Sequence, residues 1–165
     1  MNDVIVIGVG NEFRRDDGVG PYAIERLKDS WHAENIFLTV TGGAGLHLME
    51  LWKDFSLAIV IDAVYADTSP GTVYRLNPFC EKIPKELGSF STHTLNIAQT
   101  IELSRVLQEA PAHLIIYGIT GENFGEGRGL SGPVQRAAEE TIKRIQEDIE
   151  TFLQHQMPPR QVGVD

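Results

Sequence analysis

Two aspartates and one histidine have residue types and positions that suit metal chemistry. Asp17 follows a glycine-rich stretch, Asp62 ends an apolar run, and His93 precedes a helical pattern. Their separations are too long for a local metal motif, but they are ordinary for a site assembled from the ends of several elements. Two carboxylates and one imidazole suit a divalent transition ion that keeps positions open for water or substrate. The simpler alternatives are a turn-forming role for Asp62 and a helix cap for His93.

Two uninterrupted apolar runs, residues 4–7 and 57–61, predict the buried strands that would position the aspartates. Residues 18–31, 36–40 and 46–52 predict a helix, a strand and a short helix between them. This βαβαβ order implies a parallel sheet with right-handed crossovers. Asp17 and Asp62 are then expected at the carboxyl edge of the sheet, where open α/β folds place their sites.

The second half of the chain predicts the rest of the sheet and its helices. An alternating strand over 72–76 is expected at an edge, possibly antiparallel, followed by a loop over 77–90. A helix to about residue 108 should begin near His93 and bury Leu95, Ala98, Ile101 and Leu103 or Val106. A strand over 114–117, a loop over 120–129 and a long helix opening at Ser131 complete the pattern. That last helix carries an apolar stripe formed by Val134, Ala138, Ile142, Ile145, Ile149 and Phe152.

The predicted fold class is α/β: a three-layer sandwich with a twisted, mostly parallel sheet of about five strands. One antiparallel edge strand and helices on both faces complete the prediction. Residues 1–156 are expected to form a single domain, and residues 157–165 a mobile tail after Pro158 and Pro159.

Composition excludes several classes of function. The 165 residues carry a formal net charge of −9 without a basic run, which argues against a nucleic-acid partner. No window approaches the roughly eighteen apolar residues of a membrane span. Cys80 is the single cysteine and the start of the chain has no signal-peptide pattern, so a cytoplasmic protein is expected.

Other catalytic and cofactor motifs are absent or incomplete. Gly8 and Gly10 fit a dinucleotide-binding G-x-G-x-x-G, but Phe13 stands at the third glycine. Asp16 and Asp17 would repel a phosphate at the following helix start, although an acid there could simply cap the helix dipole. The sequence contains neither a G-x-S-x-G elbow nor an H-E-x-x-H motif.

The string G-V-G-N-E-F-R-R-D-D-G-V-G over residues 8–20 resembles the opening motif of the hydrogenase maturation proteases. These endopeptidases trim the C-terminus of nickel-iron hydrogenase large subunits. The resemblance spans nearly the whole chain, and the supporting matches are Gly42-Gly43, Ile61-Asp62-Ala63, Thr92-His93, Tyr117-Gly118-Ile119 and Leu130-Ser131. Some relatives have Glu where this chain has Asp17, and many have a proline after the last strand, where this chain has Gly118 to Phe124.

The resemblance implies that Asp17, Asp62 and His93 contact a metal, namely nickel that the hydrogenase large-subunit precursor supplies and that is not tightly resident. The partner would be that precursor, cleaved only after nickel insertion. The substrate cleft is expected to include Gly10, Asn11, Asp16 and Gly43. Water could be activated by the metal or by an aspartate. Two rivals stay open: a peptidase with its own resident ion, and a nickel-handling or assembly factor that does not cut.

Overall fold

The computed structural model describes residues 2–43, 45–84, 89–90 and 97–156. Its strands are β1 (Asn2–Val9), β2 (Ile36–Thr41), β3 (Phe55–Tyr65), β4 (Val73–Leu76), β5 (Ser89–Phe90) and β6 (His113–Thr120). Its helices are α1 (Val19–Ser30), α2 (Leu46–Trp52), α3 (Ile97–Val106) and α4 (Gly132–Gln156). The predicted tail over residues 157–165 lies outside the described residues.

The strands form one mixed sheet in the order β2-β1-β3-β6-β4. The pairs β1–β2, β1–β3 and β3–β6 are parallel, whereas β4 runs antiparallel to β6 at the edge. The predicted mostly parallel sheet with one antiparallel edge strand is therefore confirmed. The loop predicted over 77–90 is wrong at its end, because β5 pairs with Val64 and Tyr65 of β3.

Helices cover both faces of the sheet, as predicted. One apolar cluster joins α1 and α4 to one face, and a second joins α2 and α3 to the other. Neighbouring strand residues alternate between the clusters: Val4 and Val6 belong to the first, Ile5 and Ile7 to the second. The α4 stripe is confirmed, since its first five members are buried in the first cluster and Phe152 packs against it.

The predicted buried face of helix α3 is confirmed at Ile101, and Leu103 packs against the second cluster, but two polar residues share this face. Its buried residues are Ile97, Thr100, Ile101 and Ser104, whereas Val106 is 76% exposed. Polar residues are buried here because they have partners: the Gly45 amide donates to Thr100 Oγ1 at 2.8 Å, and Trp52 Nε1 donates to Ser104 Oγ at 3.2 Å. An apolar pattern cannot reveal such bonds. Leu95 lies outside the described residues.

Two glycines let α1 approach the sheet closely. A Cβ atom at Gly8 would lie 2.3 Å from the carbonyl oxygen of Gly20, and one at Gly20 would lie 2.4 Å from that of Val9. The first turn of α1 thus rests directly on the end of β1. This contact fixes the residues just before α1 above the carboxyl ends of the central strands. No helix in the described part of the chain is long and apolar enough to cross a membrane.

Candidate functional site

The candidate site lies at the carboxyl ends of β1 and β3, where the crossover connections of the sheet lead to opposite sides of β1. The chain leaves β1 through α1 to reach β2 on one side, while β3 lies on the other side of β1. Such a switch point leaves a crevice outside the carboxyl ends of the strands. Asp17 lies in a 3-10 turn, Arg15–Gly18, between β1 and α1. Asp62 follows Ile61, which pairs with Gly8, so both aspartates lie at this edge.

Asp17 is held by the backbone of the loop that follows β1. Asp17 is 7% exposed, and its Oδ2 atom accepts a hydrogen bond from the backbone amide of Asn11 at 2.9 Å. Gly10, at φ 140°, has a conformation that favours glycine. A Cβ atom there would lie 1.8 Å from the Asp17 carbonyl oxygen. The glycine is therefore required for the position of Asp17.

Gly10→Ala is expected to destabilise the chain by about 3 kcal/mol, because alanine would be strained at this φ and its Cβ would overlap backbone. Urea denaturation followed by circular dichroism measures the loss. Gly42→Ala is the matched control, since a Cβ atom at Gly42 would have no neighbour within 4 Å among the residues that the structure describes. Equal stability of the two variants would contradict the packing described here.

Asp62 is a fully buried carboxylate in the central strand β3. It pairs with Gly118 of β6, and Ile61 and Ala63 on either side of it are also fully buried. Placing a charge in such surroundings costs free energy that an apolar residue would not. Burial of a charge at this edge of the sheet is typical of a functional position.

His93, the third member of the predicted metal site, lies outside the described residues. Phe90, three positions earlier in the sequence, pairs with Val64 and so lies beside the strand that carries Asp62. Among residues 2–43, 45–84, 89–90 and 97–156, no group of three or more His, Cys, Asp or Glu side chains could hold a metal ion.

Tyr65 was not identified from the sequence, yet it reports on both aspartates. Burial raises the pKa of its phenol, and the charges of Asp17 and Asp62 raise that pKa further, against an opposing effect of Arg14. Its ring stacks on Phe124 with centroids 4.0 Å apart. The negative field of the two carboxylates thus converges on the end of β3.

Replacing Asp17 by Asn is expected to lower the pKa of Tyr65, because removal of a nearby negative charge favours the phenolate. NMR titration with tyrosine labelled at Cζ measures this shift. Asp3→Asn, at the opposite end of β1, should leave the pKa of Tyr65 unchanged. An unchanged pKa in both variants would place Asp17 too far from β3 to share a site with Asp62.

Asp16 anchors the site loop and has no exposed surface. Its Oδ2 accepts hydrogen bonds from the amides of Glu122 and Asn123 and from Ser131 Oγ, at 2.8 to 2.9 Å. Its Oδ1 accepts one from the Ser131 amide at 2.8 Å. Because Ser131 directly precedes α4, this carboxylate stabilises the start of α4 and not that of its own helix.

Arg15 strengthens the same connection between the two loops. Its backbone amide donates to the carbonyl of Gly127 at 2.9 Å, and its guanidinium donates to the carbonyls of Glu126 and Arg128. The residue has a φ of 50°, which is rare for a side chain other than glycine. These hydrogen bonds join the loop after β1 to the loop after β6, and together they stabilise the turn that carries Asp17.

A cavity of about 710 Å³ opens beside Asp17. Of the four predicted cleft residues, Gly10 and Asn11 line it together with Asp17. Asp16 instead faces the loop after β6. Gly43 is partly buried just after β2, where its carbonyl accepts a hydrogen bond from the Thr41 hydroxyl at 3.2 Å. The neighbouring Gly42 lines the cavity instead.

Comparison with known proteins gives a consistent family assignment. The family model described as hydrogenase maturation protease matches residues 21–148, a range that includes Asp62 and His93 and begins after Asp17. The chain is 29% identical over 120 residues to the hydrogenase expression/formation protein HupD of Thiocapsa roseopersicina. That match covers 71% of this chain and 53% of HupD, about half of its length.

Two matches from Escherichia coli, one in sequence and one in fold, cover greater shares of the matched protein. The hydrogenase 2 maturation protease is 26% identical over 145 residues, covering 86% of this chain and 87% of the relative. The structure of the hydrogenase maturating endopeptidase HybD is similar in fold, with a TM-score of 0.73 and 23% identity. It covers 90% of this chain and 93% of HybD.

Proposed function

Since the chain belongs to the hydrogenase maturation protease family, we propose that it removes the C-terminal extension of a nickel-iron hydrogenase large-subunit precursor after nickel insertion. Asp17, Asp62 and His93 engage the nickel that the precursor carries. The observation that carries this proposal is the placement of Asp17 and Asp62 at the same carboxyl edge of the sheet, with a cavity open beside Asp17.

The donor set explains why nickel would arrive with the substrate. Two carboxylates near one another repel, so a cation held by the precursor lowers the free energy of the site when it docks. Nickel binds strongly to oxygen and nitrogen ligands among the divalent metals of the first row. Recognition of a loaded precursor then follows from a difference in affinity between the nickel-loaded and nickel-free forms.

Cleavage requires water to attack the scissile carbonyl carbon while the C–N bond breaks and the leaving amine gains a proton. Polarisation at the nickel or proton transfer to one of the aspartates can activate this water. The buried position of Asp62 suits a group whose charge acts in surroundings poor in water. The exposed cavity beside Asp17 gives the peptide access.

Metal removal tests the proposal against its two rivals. The chain is treated with a chelator, desalted and mixed with nickel-loaded precursor, whose mass is then measured. We expect the metal-free chain to shorten the precursor at the rate of the untreated chain. Cleavage that returns only after metal is restored to the chain would support a resident ion instead. An unchanged precursor mass with both preparations would support an assembly factor that does not cut.

A further inference from the structure

The outer edge of β2 presents backbone groups that no described strand pairs with. β2 ends the sheet and pairs with β1 alone among the described strands. The amides of Val4 and Gly10 donate to the carbonyls of Asn35 and Thr41, so the odd-numbered residues face β1. By the alternation of a parallel ladder, the N–H and C=O groups of Leu38 and Val40 point outward. Such an edge is a template for another extended chain.

A groove runs along this edge on the side of α1. The cavity beside Asp17 has Val40 and Gly42 on one wall and Ile24 and Lys28 of α1 on the other. A second cavity of about 470 Å³ shares Lys28 and continues along β2 past Leu38. We name the two cavities together the α1–β2 groove. It therefore leads from the candidate site to the far end of β2.

Gly42 and Val40 give this groove the character of a binding surface. A Cβ atom at Gly42 would meet no atom of the described residues within 4 Å and the residue has no positive φ, so the described part of the chain does not require glycine there. Glycine instead leaves room for the close approach of another backbone. Val40 is 47% exposed beside it and offers an apolar contact.

We propose that the α1–β2 groove binds the extended C-terminal segment of the precursor as a strand added to the outer edge of β2. This inference rests on the proposed function. The groove and Asp17 share one cavity, so a segment lying along β2 would lead directly to the point of cleavage. Backbone hydrogen bonds would hold the segment, and its alternate side chains would contact α1. Lys28 can pair with a carboxylate of the segment, while Glu12 and Glu25 line the same cavity and favour a segment that is not strongly acidic.

Hydrogen exchange on the full chain tests this docking directly. The probes are the nickel-loaded precursor and the same large subunit lacking its extension, each mixed with the chain carrying Asp17→Asn so that cleavage does not intervene. We expect hydrogen exchange at the backbone amides of Leu38 and Val40 to slow at least about tenfold with the complete precursor, and not with the subunit that lacks its extension. Equal protection by the shortened subunit, or none at β2 from a bound complete precursor, would overturn the proposal. So would protection that rises with the concentration of the chain alone, because that reports edge-to-edge pairing of two copies.

Two variants with controls test the same groove by cleavage. Val40→Pro removes an outward-pointing N–H group, a change that an edge strand tolerates. It should raise the KM for the precursor about fivefold, because one backbone hydrogen bond to the segment is lost. Val40→Thr keeps the N–H group and should leave KM unchanged. Gly42→Trp fills the groove without strain in the free chain and should reduce kcat/KM at least about tenfold. Phe37→Trp is its control, because Phe37 is 43% exposed and packs against Phe55 outside the groove. Unchanged kinetics in Gly42→Trp would overturn the docking even if Val40→Pro fails to fold.

These measurements separate the two proposals. Cleavage by the unmodified chain without protection of β2 would overturn the groove and leave the proposed function standing. Protection of β2 by the complete precursor, together with no cleavage of that precursor by the unmodified chain, would overturn the proposed function and leave the groove. Failure of both would overturn both.

Discussion

Asp62→Asn is expected to slow cleavage of a nickel-loaded precursor by at least about 100-fold, because the amide keeps the shape of the side chain but removes the charge that engages the metal or accepts a proton. Asp17→Asn and His93→Ala should behave alike. The intact mass of the precursor over time measures the rate. The melting temperature of each free variant should stay close to that of the unmodified chain.

The control for this prediction is Asp3→Asn, which removes an equal charge at the opposite end of β1 and should cleave normally. A purely structural role for Asp62 predicts another pattern, since removal of a buried, hydrogen-bonded charge typically costs about 3 kcal/mol or more. A large fall in melting temperature with cleavage retained would rule out the catalytic assignment of Asp62.

Asp16→Ala is expected to destabilise the chain by about 3 kcal/mol or more, although Asp16 is the immediate neighbour of a candidate ligand. The substitution leaves the amides of Glu122, Asn123 and Ser131 without their acceptor in a buried place. Urea denaturation measures the free energy of unfolding. The loop after β6 and the start of α4 should lose protection from hydrogen exchange first.

Asp17→Ala is the matched comparison for Asp16→Ala, because the two acids are adjacent in one turn. Asp17 accepts a described hydrogen bond from a single backbone amide, that of Asn11, so its loss should cost about 1 kcal/mol. The two variants should therefore separate stability from cleavage: Asp16→Ala lowers stability most, and Asp17→Ala lowers cleavage most. Equal losses of stability would contradict the distinct roles of the two aspartates.

Much of the fold follows from local sequence patterns. The apolar runs around Ile5 and Ile59 predict buried parallel strands because strands covered on both faces have no polar alternation. The 3- and 4-residue steps from Val134 to Ile149 predict the buried face of α4 because an α-helix repeats about every 3.6 residues, so residues at these steps share one face. Asp17 and Asp62 could be assigned to one edge because parallel strands share their direction.

The remainder depends on contacts between residues distant in the chain. Asp16 bonds to Ser131, and no local pattern distinguishes that contact from a cap on α1. Tyr65 becomes part of the site only because its ring stacks on Phe124 and lies near both carboxylates. The burial of Ser104 in α3 likewise depends on Trp52 of α2.

The most direct test of nickel recognition compares nickel-loaded and nickel-free forms of one large-subunit precursor after incubation with the unmodified chain. Intact mass spectrometry reports whether the C-terminal extension has been removed. We expect the nickel-loaded form to lose a mass equal to that of the extension and the nickel-free form to keep its mass. Equal cleavage of both forms would contradict metal recognition by Asp17, Asp62 and His93, and cleavage of neither would contradict the proposed function.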